Sequence, residues 1–220
     1  PGYLDTPKGR VALISASSTF PEAGRALDQR PDAKGRPGLN ALRFDSTHTV
    51  DRTTFDQIRR ANQKLGFDAV NAAQRKFRPT GAMIKDTDTQ LGLLGEKFVL
   101  GERFVTSTKP NAREMEENLK WVRDARRMAD WVFVGFHSRE SGGSPGEPPE
   151  FLTTFAHACI DGGADGFFGH GPHVTRGVEI YHGKPIFYSL AHLTLQNDTV
   201  ARMPWLSKIC LNLQNPTRRP

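Results

Sequence analysis

The sequence is poor in cysteine, with only Cys159 and Cys210 among its 220 residues. Two widely separated cysteines do not form a disulfide framework, and they do not have the spacing of a cysteine-based zinc site. Cys159 lies within the amphipathic run FLTTFAHACI, so we expect it to behave as a small buried hydrophobic residue.

The sequence also has no apolar run near the roughly 20 residues that a transmembrane helix requires. Its first residues, PGYLDTPKGR, lack the charged-then-apolar pattern of a signal peptide. We therefore expect a soluble domain with no membrane span, whose compartment and oligomeric state the sequence does not indicate. Because the chain begins with Pro1 and not with Met, we expect a processed product or a fragment.

Basic residues exceed acidic ones, 30 to 24, which gives a formal net charge of +6. The basic residues are scattered among acids, as in REMEENLKWVRDARR, and no RNA-binding or zinc-finger pattern accompanies them. The charge therefore does not predict a nucleic-acid partner. It is compatible with a solvated surface or with an anionic small molecule or polymer as the partner.

Helical and strand patterns alternate along the second half of the chain, which predicts an α/β protein of the βαβ type. The apolar and capping patterns predict strands over 9–15, 131–136 and 164–169, helices over 51–66, 111–130 and 150–163, and hairpins over 90–108 and 177–190. A long segment rich in Pro and Gly, following the first strand, is predicted to be an irregular loop.

Histidines directly follow two of the predicted strands. His137 comes after WVFVGF, whereas His170 and His173 belong to the stretch DGGADGFFGHGPHV. If these strands are parallel neighbours, their carboxyl ends lie about 5 Å apart and the three imidazoles converge. Neutral imidazole is a good ligand for divalent metals, so the pattern indicates a metal site. The alternative is that these histidines are ordinary polar residues in glycine-rich turns.

The order of these motifs resembles that of a known family. The run MADWVFVGFHSRE, followed by GGADGFFGHGPHVTRGVEIYHGKPIFYSL, resembles the C-terminal half of the CapA-type poly-γ-glutamate (capsule) synthesis proteins. That family is similar in fold to the calcineurin-like metallophosphoesterases. The resemblance implies a layered α/β sandwich of the metallophosphoesterase type that lacks its N-terminal portion. We expect residues 1–204 to form this domain and residues 205–220 to form a tail.

The resemblance also assigns site residues. It places His137, His170 and His173 at metal positions, with Mn, Fe or Zn as the divalent ion. Glu140 matches the acid of an H-x-x-E element, as a ligand, a general base or a group that orients an imidazole. The catalytic residues implied in this way are His173 and Glu140, which would move protons while the metal activates water.

The sequence departs from the family pattern in several places. The G-D and N-N-H motifs that supply further ligands are missing, Arg139 stands where many members have another His, and SLAHL replaces S-L-G-N-F. Arg36 and Arg176 are candidates for binding a carboxylate or phosphate, or are simply surface arginines.

The implied function is that of a metal-dependent hydrolase of an amide or a phosphate ester, linked to poly-γ-glutamate or capsule synthesis. Two alternatives remain open, because the motifs for part of the ligand set are missing. One is a non-catalytic binding or assembly protein, and the other is a truncated inactive member of the family.

Overall fold

Ten β-strands, four α-helices and one short 3-10 helix make up the computed structural model, which describes residues 1–77 and 84–191. The strands are β1 (Gly2–Thr6), β2 (Gly9–Ser17), β3 (Phe44–Val50), β4 (Gln90–Leu93), β5 (Glu96–Leu100), β6 (Val105–Pro110), β7 (Trp131–His137), β8 (Gly166–His170), β9 (Val178–Tyr181) and β10 (Lys184–Phe187). The α-helices are α1 (Arg52–Lys64), α2 (Phe67–Phe77), α3 (Ala112–Met128) and α4 (Glu150–Asp161), and the 3-10 helix is Glu22–Gly24. The predicted α/β class is confirmed.

Six strands form a mixed sheet in the order β1-β2-β7-β8-β10-β9. The four central strands run parallel, and β1 and β9 flank them as antiparallel edge strands. Parallel strands need crossover connections, and α3 and α4 lie in those that precede β7 and β8. The carboxyl ends of β2, β7 and β8 therefore lie side by side at one edge of the sheet.

One face of this sheet is packed against helices. Alternate residues of β2 and β7, such as Ile14, Val134 and Phe136, are buried together with the apolar faces of α3 and α4. Phe155 of α4 lies 5.3 Å from the ring of Phe136, and Cys159 is fully buried as expected. This face is the main core of the molecule.

The opposite face of the same sheet is apolar and largely open. Its outer positions are more than half exposed: Leu4 63%, Leu13 51%, Trp131 51%, Val178 59% and Ile180 68%. Between them, the rings of Phe133, Phe168 and Phe187 shield one another, with centroids 5.8 and 5.2 Å apart. No element within residues 1–77 and 84–191 covers the outer parts of this face. We call it the open face.

Four further strands form a second mixed sheet in the order β4-β5-β3-β6. A small core of Val50, Phe55 and Leu91 joins this sheet to α1. Helix α4 connects the second sheet to the first, because the ring of Phe151 stacks on Phe44 at 4.2 Å and the Phe151 amide donates to the Thr108 hydroxyl.

Most predicted elements are present, and two of the predicted helices begin at a residue whose side chain caps the helix. The Asp51 carboxylate accepts from the Thr54 amide at the start of α1, and the Asn111 side chain accepts from the Glu114 amide at the start of α3. The hairpin of β9 and β10 turns at His182 and Gly183, as predicted.

Four elements of the fold were not predicted, namely β1, β3, α2 and the 3-10 helix Glu22–Gly24. Strand β3, in the sequence FDSTHTV, has no alternation of apolar and polar residues, because several of its positions hold Ser or Thr. The predicted tail over 205–220 lies outside the described residues, so the domain boundary at 204 stays a prediction. No described helix is long and apolar enough to cross a membrane.

Candidate metal centre

His137 and His170 come together because they end neighbouring parallel strands. They are register partners at the last residues of β7 and β8, so the predicted adjacency of the two strands is confirmed. Side chains alternate along a strand, and both histidines fall on the same side as Phe133 and Phe168. The pair therefore lies at the carboxyl-end rim of the open face.

The two imidazoles meet through the same ring atom. The Nδ1 atoms of His137 and His170 are 3.1 Å apart, and the rings are inclined at 61°. One Nδ1 must carry a proton if this contact is a hydrogen bond, because two bare lone pairs repel. Without that proton, both nitrogens are available to a cation placed between them.

Burial lowers the pKa of His170 below its ordinary value, and the nearby His137 lowers it further. Both effects disfavour the imidazolium form, since a charged ring loses hydration and is repelled by a second charge. His170 is therefore biased towards the neutral state, which is the form of histidine that binds metals.

His173 lies in the loop after β8 and is exposed, with a backbone φ of 63°. No group of three or more His, Cys, Asp or Glu side chains that could hold a metal ion is found within residues 1–77 and 84–191. The structure thus brings together two of the three predicted ligands. The assignment of His173 as a ligand and proton carrier stays a prediction.

Glu140 lies in the loop that follows β7, three residues after His137. Its Oε2 accepts hydrogen bonds from the hydroxyls of Ser18 (2.7 Å) and Ser138 (2.8 Å), and its Oε1 accepts one from Thr19 (3.2 Å). The sequence pattern did not connect Ser18 with Glu140. The contact depends on the adjacency of the carboxyl ends of β2 and β7, which was not predicted from the sequence.

The predicted anion-binding Arg176 is only 4% exposed. Its guanidinium donates to the carbonyls of Glu140 (2.7 Å) and Pro145 (3.2 Å) and to the Ser141 hydroxyl (3.1 Å). Desolvation lowers the pKa of Arg176, against the raising effect of the Glu140 charge. These contacts are to the protein itself, and the predicted substrate contact stays a prediction.

The other predicted anion-binding residue, Arg36, lies on the long loop after β2. Its guanidinium donates to the backbone carbonyl of Arg25 at 2.9 Å. Arg25 in turn lines a cleft of about 560 Å³ between this loop and α3. Glu114 on the cleft wall binds Arg25 at 3.1 Å and Arg43 at 2.5 Å. Sequence reasoning did not find this cleft, because its two walls are far apart in the chain.

The bacterial capsule synthesis protein family PGA_cap matches residues 1–195 of the chain. This chain belongs to that family. The match includes both histidine loops and confirms the family that the H-x-x-E and G-H-x-P-H elements indicated.

Similar proteins come from several bacteria. The chain is 33% identical to the uncharacterized protein y4sH of Sinorhizobium fredii over 189 residues, which make up 86% of this chain and 38% of that protein. It is 28% identical over 180 residues to the capsule biosynthesis protein CapA of Bacillus anthracis, which covers 76% of this chain and 43% of that protein. A third relative, the PGA biosynthesis protein CapA of Bacillus subtilis, is 39% identical over 72 residues, which make up 32% of this chain and 18% of that protein. The chain spans less than half the length of these relatives.

Proposed function

We propose that this chain contributes His137 and His170 to a divalent-metal site that serves capsule or poly-γ-glutamate synthesis. The observation that carries the proposal is the 3.1 Å separation of their Nδ1 atoms. Two imidazole nitrogens that bind one ion at about 2.0–2.1 Å, with an angle between right and tetrahedral, are about 2.8–3.4 Å apart. The pair fits a single ion of the Zn, Mn or Fe type without a change of spacing.

The chemistry that follows depends on the ion together with the side chains around it. A bound divalent ion supplies Lewis acidity for hydrolysis of an amide or a phosphate ester. The chain itself would hold both imidazoles on adjacent strand ends. His173 and Glu140, which were predicted to move protons, lie in the loops that begin after His170 and His137.

The open face supports the finer prediction of a metallophosphoesterase-type sandwich. An exposed apolar sheet face of this extent marks a contact surface, since monomeric proteins rarely leave large apolar patches uncovered. A second layer packed on this face would lie directly beside His137 and His170. It would thus be placed to add the ligands that the described residues do not supply.

Metal binding is tested by elemental analysis of the purified chain and of the His137→Ala and His170→Ala variants. The expected result is bound Zn, Mn or Fe in the parent chain and its loss in both variants. His182→Ala is the matched control, because His182 is an exposed histidine that pairs with Asp161 away from this site. Equal metal content in all four proteins would refute the assignment.

A second candidate function, binding of an anionic polymer, is favoured by the cleft beside α3. Four cationic and three acidic side chains line it, namely Arg25, Arg43, Arg113, Lys120, Asp28, Glu114 and Glu117. Leu27, Leu39 and Trp121 add apolar surface, each at 44–45% exposure. A carboxylate chain with aliphatic spacers complements such a lining better than a compact inorganic anion does.

This second candidate is tested with fluorescently labelled poly-γ-glutamate oligomers. We expect anisotropy to report binding that weakens with salt and that falls in a Lys120→Ala, Trp121→Ala double variant. Arg52→Ala, on the exposed side of α1, is the control for general loss of charge. Binding that is equal in the double variant and the control would exclude the cleft.

A further inference from the structure

Three loops leave the same edge of the six-stranded sheet and are joined by the side chains of Glu140 and Arg176. The first loop follows β2 and carries Ser18 and Thr19, the second follows β7 and carries Glu140, and the third follows β8 and carries Arg176. We call these two side chains and their hydrogen bonds the loop clamp.

The Glu140 half of the clamp binds the first loop to the second. Its carboxylate receives three hydroxyl donors, two from the first loop and one from Ser138 in its own loop. The Thr19 hydroxyl also accepts from the amide of Arg139 at 3.2 Å. Hydrogen bonds to a charged acceptor are among the stronger ones in proteins, so these contacts fix the relative position of the two loops.

The Arg176 half binds the third loop to the second. A buried guanidinium stays charged, and its planar arrangement of N–H donors allows it to bind several acceptors at once. Arg176 uses Nε and Nη2 on three neutral oxygen atoms of the second loop, while its own amide donates to the Ser189 carbonyl at 3.2 Å. Burial of a cation in this way costs free energy, which its hydrogen bonds to the second loop partly offset.

The clamp acts directly on the backbone of the two histidines. The amide of Ser18 donates to the His137 carbonyl at 3.0 Å, and the amide of Ser138 donates to the His170 carbonyl at 2.9 Å. Both serines also donate their hydroxyls to Glu140. Displacement of the Glu140 carboxylate would therefore loosen the two backbone contacts that hold the ends of β7 and β8 in place.

We propose that Glu140 and Arg176 are positioning residues, which set the spacing of His137 and His170 through the backbone and do not themselves contact substrate or metal. This assignment differs from the proton-transfer and anion-binding roles predicted from sequence. Its consequence for metal affinity rests on the proposed function, whereas its consequence for the loops does not.

The first test measures binding of Co²⁺, added alone, by its visible absorption. Glu140→Ala is expected to weaken binding about 10- to 100-fold, which is the usual effect of removing a group that supports metal ligands. Glu140→Gln keeps an oxygen that accepts hydroxyl donors, so it is expected to retain affinity within a few-fold and to leave the spectrum unchanged. If Glu140→Gln weakens Co²⁺ binding as much as Glu140→Ala does, the carboxylate itself is a ligand or base and the proposal fails.

Val122→Ala is the control for stability, because Val122 is fully buried on α3, away from the three loops. It is expected to lower the melting temperature without a change in Co²⁺ affinity. Arg176→Lys keeps the charge but loses the planar arrangement of N–H donors. We therefore expect it to change Co²⁺ affinity as much as Arg176→Ala does. If Arg176→Lys retained the full Co²⁺ affinity, the charge at this position, and not the geometry of the guanidinium contacts with the loop, would be what maintains it.

A second measurement separates this proposal from the metal assignment. Hydrogen exchange of the Ser18 and Ser138 amides is expected to accelerate about 10-fold or more in Glu140→Ala and Arg176→Ala, with or without metal. Val122→Ala should show no such local effect. Unchanged exchange at both amides would overturn the positioning role even if metal binds, and accelerated exchange without any Co²⁺ binding would overturn only the metal site.

Discussion

His137 and His170 are register partners at the last residues of two adjacent parallel strands, with their Nδ1 atoms 3.1 Å apart. Their approximate spacing follows from the sheet, whose strands lie about 4.8 Å apart, and the loop clamp holds the strand ends that carry them. Perturbations of the strand ends should reach the pair, whereas perturbations of distant surface positions should not.

Gly169, immediately before His170, provides one such perturbation. A Cβ at this position would lie 2.4 Å from the Tyr188 carbonyl oxygen, which is part of the backbone. We expect Gly169→Ala to reduce the free energy of unfolding by about 1–3 kcal/mol and to weaken metal binding as His170 shifts. Gly177→Ala is the control, since a Cβ there meets nothing within 4 Å. Denaturant unfolding of both variants checks this, and equal stability would contradict it.

The aromatic core between the sheet and α4 should dominate stability. Phe155 is 1% exposed and packs against the rings of Phe136 and Phe167. Phe155→Ala is therefore expected to cost about 3–5 kcal/mol, through lost burial and an unfilled cavity. Phe104→Ala, at a position that is 65% exposed, should change stability by less than about 0.5 kcal/mol. Similar losses of stability in the two variants would show that Phe155 does not belong to the main stabilising core.

Stability should fall in acid partly through Glu179. The hydroxyl of Tyr188 donates to its carboxylate at 2.5 Å and His157 lies at 3.0 Å, and these bonds hold the pKa of Glu179 below its usual value. Because the folded pKa is the lower one, this contribution is complete above the unfolded value of about 4.3 and is lost as the pH falls through the folded value.

Removal of the Tyr188 hydroxyl should expose this contribution. After allowance for partial solvent exposure of the carboxylate, Tyr188→Phe is expected to cost about 1 kcal/mol at pH 7, or about 2–4 °C in melting temperature. The difference from the parent chain should shrink below pH 4. Tyr3→Phe is the control, because the Tyr3 hydroxyl is exposed and donates to the Met128 sulfur. A difference that stays constant from pH 7 to pH 3 would rule out Glu179 as its source.

The open face should bind hydrophobic probes. We expect the chain to enhance the fluorescence of an anilinonaphthalene sulfonate dye, and a Leu13→Thr, Ile180→Thr double variant to reduce that signal at least two-fold. These two residues are 51% and 68% exposed on this face. Leu65→Thr removes a leucine elsewhere that is 65% exposed and serves as the control. The same signal from all variants would show that the dye binds another surface.

The second half of the fold was predictable because local signals and tertiary packing agree there. The apolar run WVFVGF is a parallel strand in which alternate residues are buried, the Asn111 side chain caps the start of α3, and Gly163 has a left-handed φ of 110° after the end of α4. The pairing of His137 with His170 followed from the rule that parallel neighbours end at one edge.

The missing parts of the prediction depended on contacts between distant segments. Strand β3 is polar and is defined by its partners β5 and β6, which no local pattern reveals. Glu140 and Arg176 were interpreted as site residues because of their types and positions. Their actual partners, such as Ser18, lie up to 122 residues away in the chain. The open face was not predicted either, since a continuous apolar run such as WVFVGF is typical of a strand that is covered on both faces.

The contact of Phe151 with Phe44 has a consequence for cooperativity. Phe151 belongs to the main core through α4, whereas Phe44 is the first residue of β3 in the second sheet. Melting of the smaller sheet would remove the stacking partner of Phe151 in α4, the helix that covers one face of the larger sheet. The two sheets should therefore unfold in a single transition, and the pairing of His137 with His170 should persist for as long as the small sheet does.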